Sequence, residues 1–180
     1  MAVLIDWHSH YTPPELLDKV EEMGRRRPSP AEDDDPDFAR RLKEMDAAGI
    51  EIQLVCQTRV DPETWGPEEA ISLVRSANDA LAARVAYDPQ RFYGVMCVTF
   101  KDIAGSVAEL ERMADRGFRA VLMFPRCDGE VVIDQPEMEP VFAKVAELDL
   151  PIFLHGGVAP GEIPVSNAWR TAELVFPLAS

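Results

Sequence analysis

The sequence predicts an α/β fold built on a parallel sheet with about five βα units. Three observations carry that prediction. Apolar, β-branched runs of strand length alternate along the chain with segments of helical period. The strand-like runs are continuously apolar, the pattern of strands covered on both faces. Each helical segment is bracketed by cap and breaker residues.

The first strand is Val3-Leu4-Ile5-Asp6-Trp7-His8-Ser9-His10, an apolar run that ends in a His-x-His pair. Thr12 as N-cap and Pro13 at the first helical position then open a helix whose apolar residues are Leu16, Leu17, Val20 and Met23, closed by Gly24. Residues 25–37 are polar and proline-rich, and their Asp33-Asp34-Asp35 run reads as a solvated loop. Asp37 caps a helix from Phe38 to Ala48 that ends at Gly49. The second strand is Ile50 to Cys56, followed by a loop from Asp61 to Trp65. The longest helix runs from Pro67 to Val85 with Ile71, Val74, Leu81 and Val85 on one stripe. Phe92 to Val98 is the third strand, and a helix over Asp102 to Arg116 turns Val107, Leu110 and Met113 inward before Gly117. Phe118 to Phe124 is the fourth strand, Pro136 to Leu148 a helix, and Pro151 to His155 the fifth strand. A last helix, capped by Ser166 or Asn167, is expected to pass through Trp169, Ala172, Leu174 and Val175.

Two architectures suit this order: an open doubly wound sheet or a (β/α)8 barrel, each with right-handed crossovers. No Gly-x-Gly-x-x-Gly follows a strand, which speaks against a dinucleotide site. In both architectures ligands collect at the C-terminal ends of the strands. The chain has three histidines, and all fall there: His8 and His10 end the first strand, His155 the fifth. Residues i and i+2 of a strand share a face, so the first two imidazoles project together. Three neutral imidazoles suit a divalent metal, zinc above all, and leave positions for water or substrate. Such an ion lowers the pKa of bound water and polarises a carboxylate or carbonyl.

Composition narrows the partners. The chain has 180 residues, a formal net charge of −14 and 47% hydrophobic residues, as expected of one globular domain over residues 1–180. Nucleic acid and anionic membrane both need a basic face, so neither is an expected partner. The chain shows neither an apolar run of membrane-spanning length nor a signal-peptide pattern. Cys56, Cys97 and Cys127 are odd in number and widely spaced, which fits reduced thiols and a cytoplasmic protein.

Other residues at strand ends have a functional and a plain reading. Arg59 pairs with a substrate carboxylate or is a surface arginine. Trp65 walls a pocket or packs on the rim. Asp6 orients a ligand histidine or lies at the barrel floor. Arg126 and Cys127 follow the fourth strand, where Cys127 reads as a spectator thiol. Glu162 is a loop carboxylate with no assigned partner.

Asp6-Trp7-His8-Ser9-His10 resembles the opening motif of the amidohydrolase superfamily. The chain is most similar to the amidohydrolase-related group that includes aminocarboxymuconate semialdehyde decarboxylase and resorcylate decarboxylases. Met45-Asp46-Ala47-Ala48-Gly49-Ile50, Ala77-Asn78-Asp79-Ala80-Leu81, Pro89-Gln90-Arg91-Phe92-Tyr93-Gly94 and Gly117-Phe118-Arg119-Ala120-Val121 resemble family segments in the family's order. So does Leu150-Pro151-Ile152-Phe153-Leu154-His155, whose histidine is a metal ligand in that family.

The resemblance implies a partial (β/α)8 barrel, a divalent metal held by His8, His10 and His155, and a hydrolase or non-oxidative decarboxylase acting on a small carboxylated molecule. In decarboxylase members Pro-Trp often follows strand five, where this chain has Gly156-Gly157. A complete barrel takes about 250 residues, so the chain is expected to supply strands one to five. A strand-six histidine and a strand-eight aspartate of the family have no counterpart in it. The uncovered edges at strands one and five predict a homo-oligomer. The alternative is a catalytically silent, truncated α/β module that binds metal or oligomerises.

Overall fold

The structure is a computed structural model that describes residues 3–22, 24, 37–127 and 130–156. Five strands form one parallel sheet in the order of the chain: β1 (Ile5–His10), β2 (Ile52–Cys56), β3 (Phe92–Cys97), β4 (Phe118–Met123) and β7 (Ile152–Leu154). Between them lie α1 (Leu17–Glu22), α2 (Phe38–Ala48), α3 (Pro67–Val85), α4 (Ile103–Met113) and α5 (Glu139–Glu147). The outermost strands of a flat five-stranded sheet would be roughly 19 Å apart. Here Trp7 of β1 and Phe153 of β7 have ring centroids 6.0 Å apart. The sheet therefore curls into half a barrel, and its two edge strands approach each other.

Local chemistry explains most element ends. Asp37 caps α2 by accepting a hydrogen bond from the Arg40 N–H at 3.0 Å, and Gly49 ends it at φ 72°, a conformation that costs glycine little. Asp102 caps α4 through the Gly105 N–H at 2.8 Å. The apolar stripe of α3 packs on β3, and Asn78 on that helix bonds both backbone groups of Cys97: it donates to the carbonyl at 2.9 Å and accepts from the N–H at 2.8 Å. Phe92, Met96, Val121 and Met123 meet the helices in one cluster, while Leu54, Cys56, Val95, Cys97, Ala120 and Leu122 fill another. Gly94 lets the Phe118 ring lie against the backbone of β3, since a Cβ there would be 2.5 Å from Phe118 Cδ1.

Several expected boundaries move. Thr12 is not the N-cap and Pro13 is not helical: Pro13 is extended (φ −55°, ψ 135°), as a residue before proline must be, so the first turn starts at Pro14. That turn, Pro14–Leu16, is a 3₁₀ helix leading into α1. The segment from Asp61 to Trp65 is not plain loop: Pro62–Thr64 makes another 3₁₀ turn, capped by Asp61 accepting from the Glu63 N–H at 3.0 Å. After β4 the chain forms an unforeseen antiparallel ribbon of β5 (Arg126–Cys127) and β6 (Glu130–Val131). The expected helix through Trp169 and the loop over residues 25–36 lie outside the described residues, as does Glu162. Among the described residues Cys56, Cys97 and Cys127 form no disulfide, and no helix is long and apolar enough to cross a membrane.

Candidate metal centre

β1 is not a regular strand. Its register to β2 slips between Asp6 and Ser9, so one extra residue is stored there as a bulge. Strict alternation would send Trp7 and His8 to opposite faces. Instead both approach the Phe153 ring, at 6.0 and 6.1 Å. Asp6 supports the bulge by accepting from the His8 N–H at 3.2 Å.

His8 and His10, two residues apart on β1, aim at the same point. Their Nε2 atoms are 2.9 Å apart. His155, just past β7, lies with its ring centroid 5.8 Å from each of the other two. One ring nitrogen from each histidine falls in a group whose atoms are all within 4.8 Å of one another. His155 Nδ1 is 3.1 Å from the Gly156 carbonyl, and a carbonyl only accepts, so this bond leaves Nε2 with its lone pair. The Phe124 ring packs 5.6 Å from His155 and limits its rotation. Nitrogens sharing one zinc or similar ion stand roughly 3.0–3.4 Å apart, given bonds of about 2.1 Å. The three imidazoles fit such an ion after small shifts.

The other candidates lie around this cluster. Asp6 reaches the His8 backbone and not its ring, and its second oxygen accepts from Gln53 Nε2 at 2.8 Å. Arg59 is half-buried on the segment after β2. That segment is stiffened by Gln57, whose amide donates to the Val60 carbonyl at 2.9 Å and accepts from its N–H at 2.8 Å. Trp65 packs against Leu16, Val20, Val60, Leu73 and Ala77, with Lys19 Nζ 4.5 Å above its ring.

Sequence reasoning missed three residues. Trp7 faces the inside only because of the bulge. Glu63, 2% exposed, has one oxygen bonded to the Phe100 N–H at 2.9 Å and the other without a hydrogen-bond partner among the described residues. Burial pushes its pKa up to about 7. Arg41 is buried beside β1, and its position on the apolar stripe of α2 with Phe38 and Met45 was the signal that marked it.

The fold and the cluster define the class: a parallel βα-barrel protein with an imidazole triad at the C-terminal strand ends. The family model described as Amidohydrolase matches residues 5–177, and the chain belongs to that family. The motif resemblance thus points to the right family. Decarboxylase orsB of Emericella nidulans is 35% identical over 118 residues, which cover 64% of this chain and 34% of that protein. Gamma-resorcylate decarboxylase of Rhizobium radiobacter is 33% identical over 125 residues, 64% of this chain and 37% of that protein. The chain thus spans about a third of the length of these curated relatives. The crystal structure of 5-carboxyvanillate decarboxylase from Novosphingobium aromaticivorans, with bound manganese, superposes with a TM-score of 0.79 at 24% identity, over 93% of this chain and 55% of that one.

Proposed function

We propose that residues 1–180 form one domain, the metal-bearing portion of a divalent-metal-dependent decarboxylase acting on a small carboxylated aromatic acid. The convergence of His8, His10 and His155 at one end of the sheet carries this reading. These residues would hold the ion, which when bound supplies a Lewis acid for a carboxylate or phenolate oxygen. Asp6 sets the His8 backbone, Arg59 pairs with the substrate carboxylate and Trp65 braces the Arg59 loop. The reaction breaks the bond between ring carbon and carboxylate, releases CO2 and places a proton on the ring carbon.

Support comes from the relatives, which are named as decarboxylases. Hydrolysis and the silent-module alternative draw no support from them. Imidazole donors suit zinc, and the manganese in the solved relative makes it the second ion to try. Among the described residues β1 and β7 are the edge strands of the sheet, and with Leu4, Trp7, Ile152 and Leu154 exposed they fit a homo-oligomer. Cysteines outside any disulfide fit a cytoplasmic location.

The test is metal analysis of the purified chain, then incubation with 2,6-dihydroxybenzoate after loading with zinc or manganese. About one ion per chain, with CO2 and resorcinol released in equal amounts, is the expected result. Metal without turnover would favour the silent module, and failure to hold either ion would remove the proposal.

A further inference from the structure

We infer that Arg41 is the positioning residue that sets the spacing and aim of His8 and His10, and so governs metal affinity at the proposed site. The inference rests on the metal reading above. It does not follow from that reading, because Arg41 is on α2, away from the imidazole cluster in the chain.

Arg41 is 5% exposed, and a buried guanidinium is stable only where several acceptors surround it. It finds them on β1 and β2. Nη1 donates to Ser9 Oγ at 2.7 Å and to Gln53 Oε1 at 3.3 Å, and Nη2 donates to the His10 carbonyl. Gln53 passes the connection on: its Nε2 donates to Asp6 Oδ2 at 2.8 Å, while Asp6 Oδ1 accepts from the His8 N–H at 3.2 Å. One cation therefore reaches the backbone of both histidines, His10 directly and His8 through two side chains.

The location of this network is what gives it a role in the site. At the bulge between Asp6 and Ser9 the ladder to β2 is interrupted, so ordinary strand pairing does not fix the His8 backbone. The Arg41 network takes over that task from the helix side, where it leaves the imidazole face clear. Its fork bridges acceptors on two strands at once, which a lysine ammonium cannot reproduce.

Arg91 supplies an internal control. It also ties α2 to the chain, donating to Asp46 Oδ1 at 2.8 Å and to the Ile50 and Glu51 carbonyls just before β2 at 3.0 and 2.7 Å, but at the end of the sheet opposite the histidines. A purely architectural arginine should behave like Arg91.

The experiment titrates Co2+ into the full chain and follows both affinity and the visible absorption bands that report ligand geometry. Arg41→Met is expected to weaken Co2+ binding by about tenfold or more and to alter the bands, as loss of a ligand-orienting partner does. Arg41→Lys should not restore either. Arg91→Met should lower the melting temperature while leaving affinity and bands as in the wild type. Unchanged affinity and bands in a folded Arg41→Met variant would overturn the inference, as would an equal loss in Arg91→Met. If Arg41→Met does not fold, Gln53→Met cuts the link to Asp6 and carries the test: weaker binding supports the role, unchanged binding overturns it. A wild-type chain that takes up no Co2+ sinks the metal reading itself and this inference with it, a result distinct from wild-type binding that the variants leave intact.

Discussion

Gln53 on β2 and Asp6 on β1 are joined side chain to side chain, Nε2 to Oδ2 at 2.8 Å, at the position where the ladder between their strands slips. The bond holds the strand on one side of the bulge while His8 swings to the other. The strand that supplies two of the three imidazoles is thus irregular just beside them, and polar side chains behind it brace the irregular position.

The cluster needs both halves of its sequence. His155→Ala removes the one imidazole that does not come from β1. It should lower affinity for zinc or manganese by at least about a hundredfold while leaving the far-UV circular dichroism intact. Equilibrium dialysis checks this, and wild-type affinity in the variant would remove His155 from the site.

Glu63 makes stability depend on pH. Its folded-state pKa is raised from 4.5 to about 7, chiefly by burial, so the native state holds this proton more tightly than the unfolded chain. The contribution is complete below about 4.5 and is lost as pH rises through about 7, a span worth roughly 3 kcal/mol. Glu63→Gln removes the titration. Urea midpoints measured from pH 5 to 8 should fall less steeply in the variant than in the wild type, and parallel profiles would refute the assignment.

Asn78→Leu keeps the volume and removes the amide. The Cys97 N–H and carbonyl then lose their bonds to Asn78, while Glu109 Oε1 keeps only its bond from Arg112 Nη2 at 2.8 Å. A loss of about 2–4 kcal/mol in chemical denaturation is expected. A loss under about 1 kcal/mol would show that these groups find other partners.

Gly94→Ala would push a methyl group into the Phe118 ring. The expected cost is about 1–3 kcal/mol. Combined with Phe118→Leu, the two changes should cost less than the sum of their separate effects, because the smaller side chain makes room. Strict additivity in a double-mutant cycle would argue that no clash exists.

The helices were legible because their signals are local. Asp37 and Gly49 mark α2, and Pro67 opens α3, with no reference to the rest of the chain. The histidine spacing was legible for the same reason, as it is a property of one strand. What escaped depends on contacts distant in sequence. Arg41 and Ser9 are 32 residues apart, and nothing near either one announces the bond. The bulge was hidden because it is a relation between β1 and β2, while each strand alone reads as regular. Glu63 lay in a segment that reads as loop, and its burial follows from Phe100 and its neighbours arriving from β3. The start of the first helix was misplaced by one residue because two consecutive prolines both satisfy the rule for a first position, and only the second can.

Every strand of the main sheet is paired with the one before it in the chain, from β1 through to β7. Synthesis on the ribosome can therefore add strands in the order they emerge, without rearranging earlier pairs. The delicate moment comes first. β1 leaves the exit tunnel some 42 residues before β2 begins, counting from His10 to Ile52, and until then its apolar side chains have no partner strand. Folding helpers that bind nascent chains would find their target there, long before His155 joins the two imidazoles of β1.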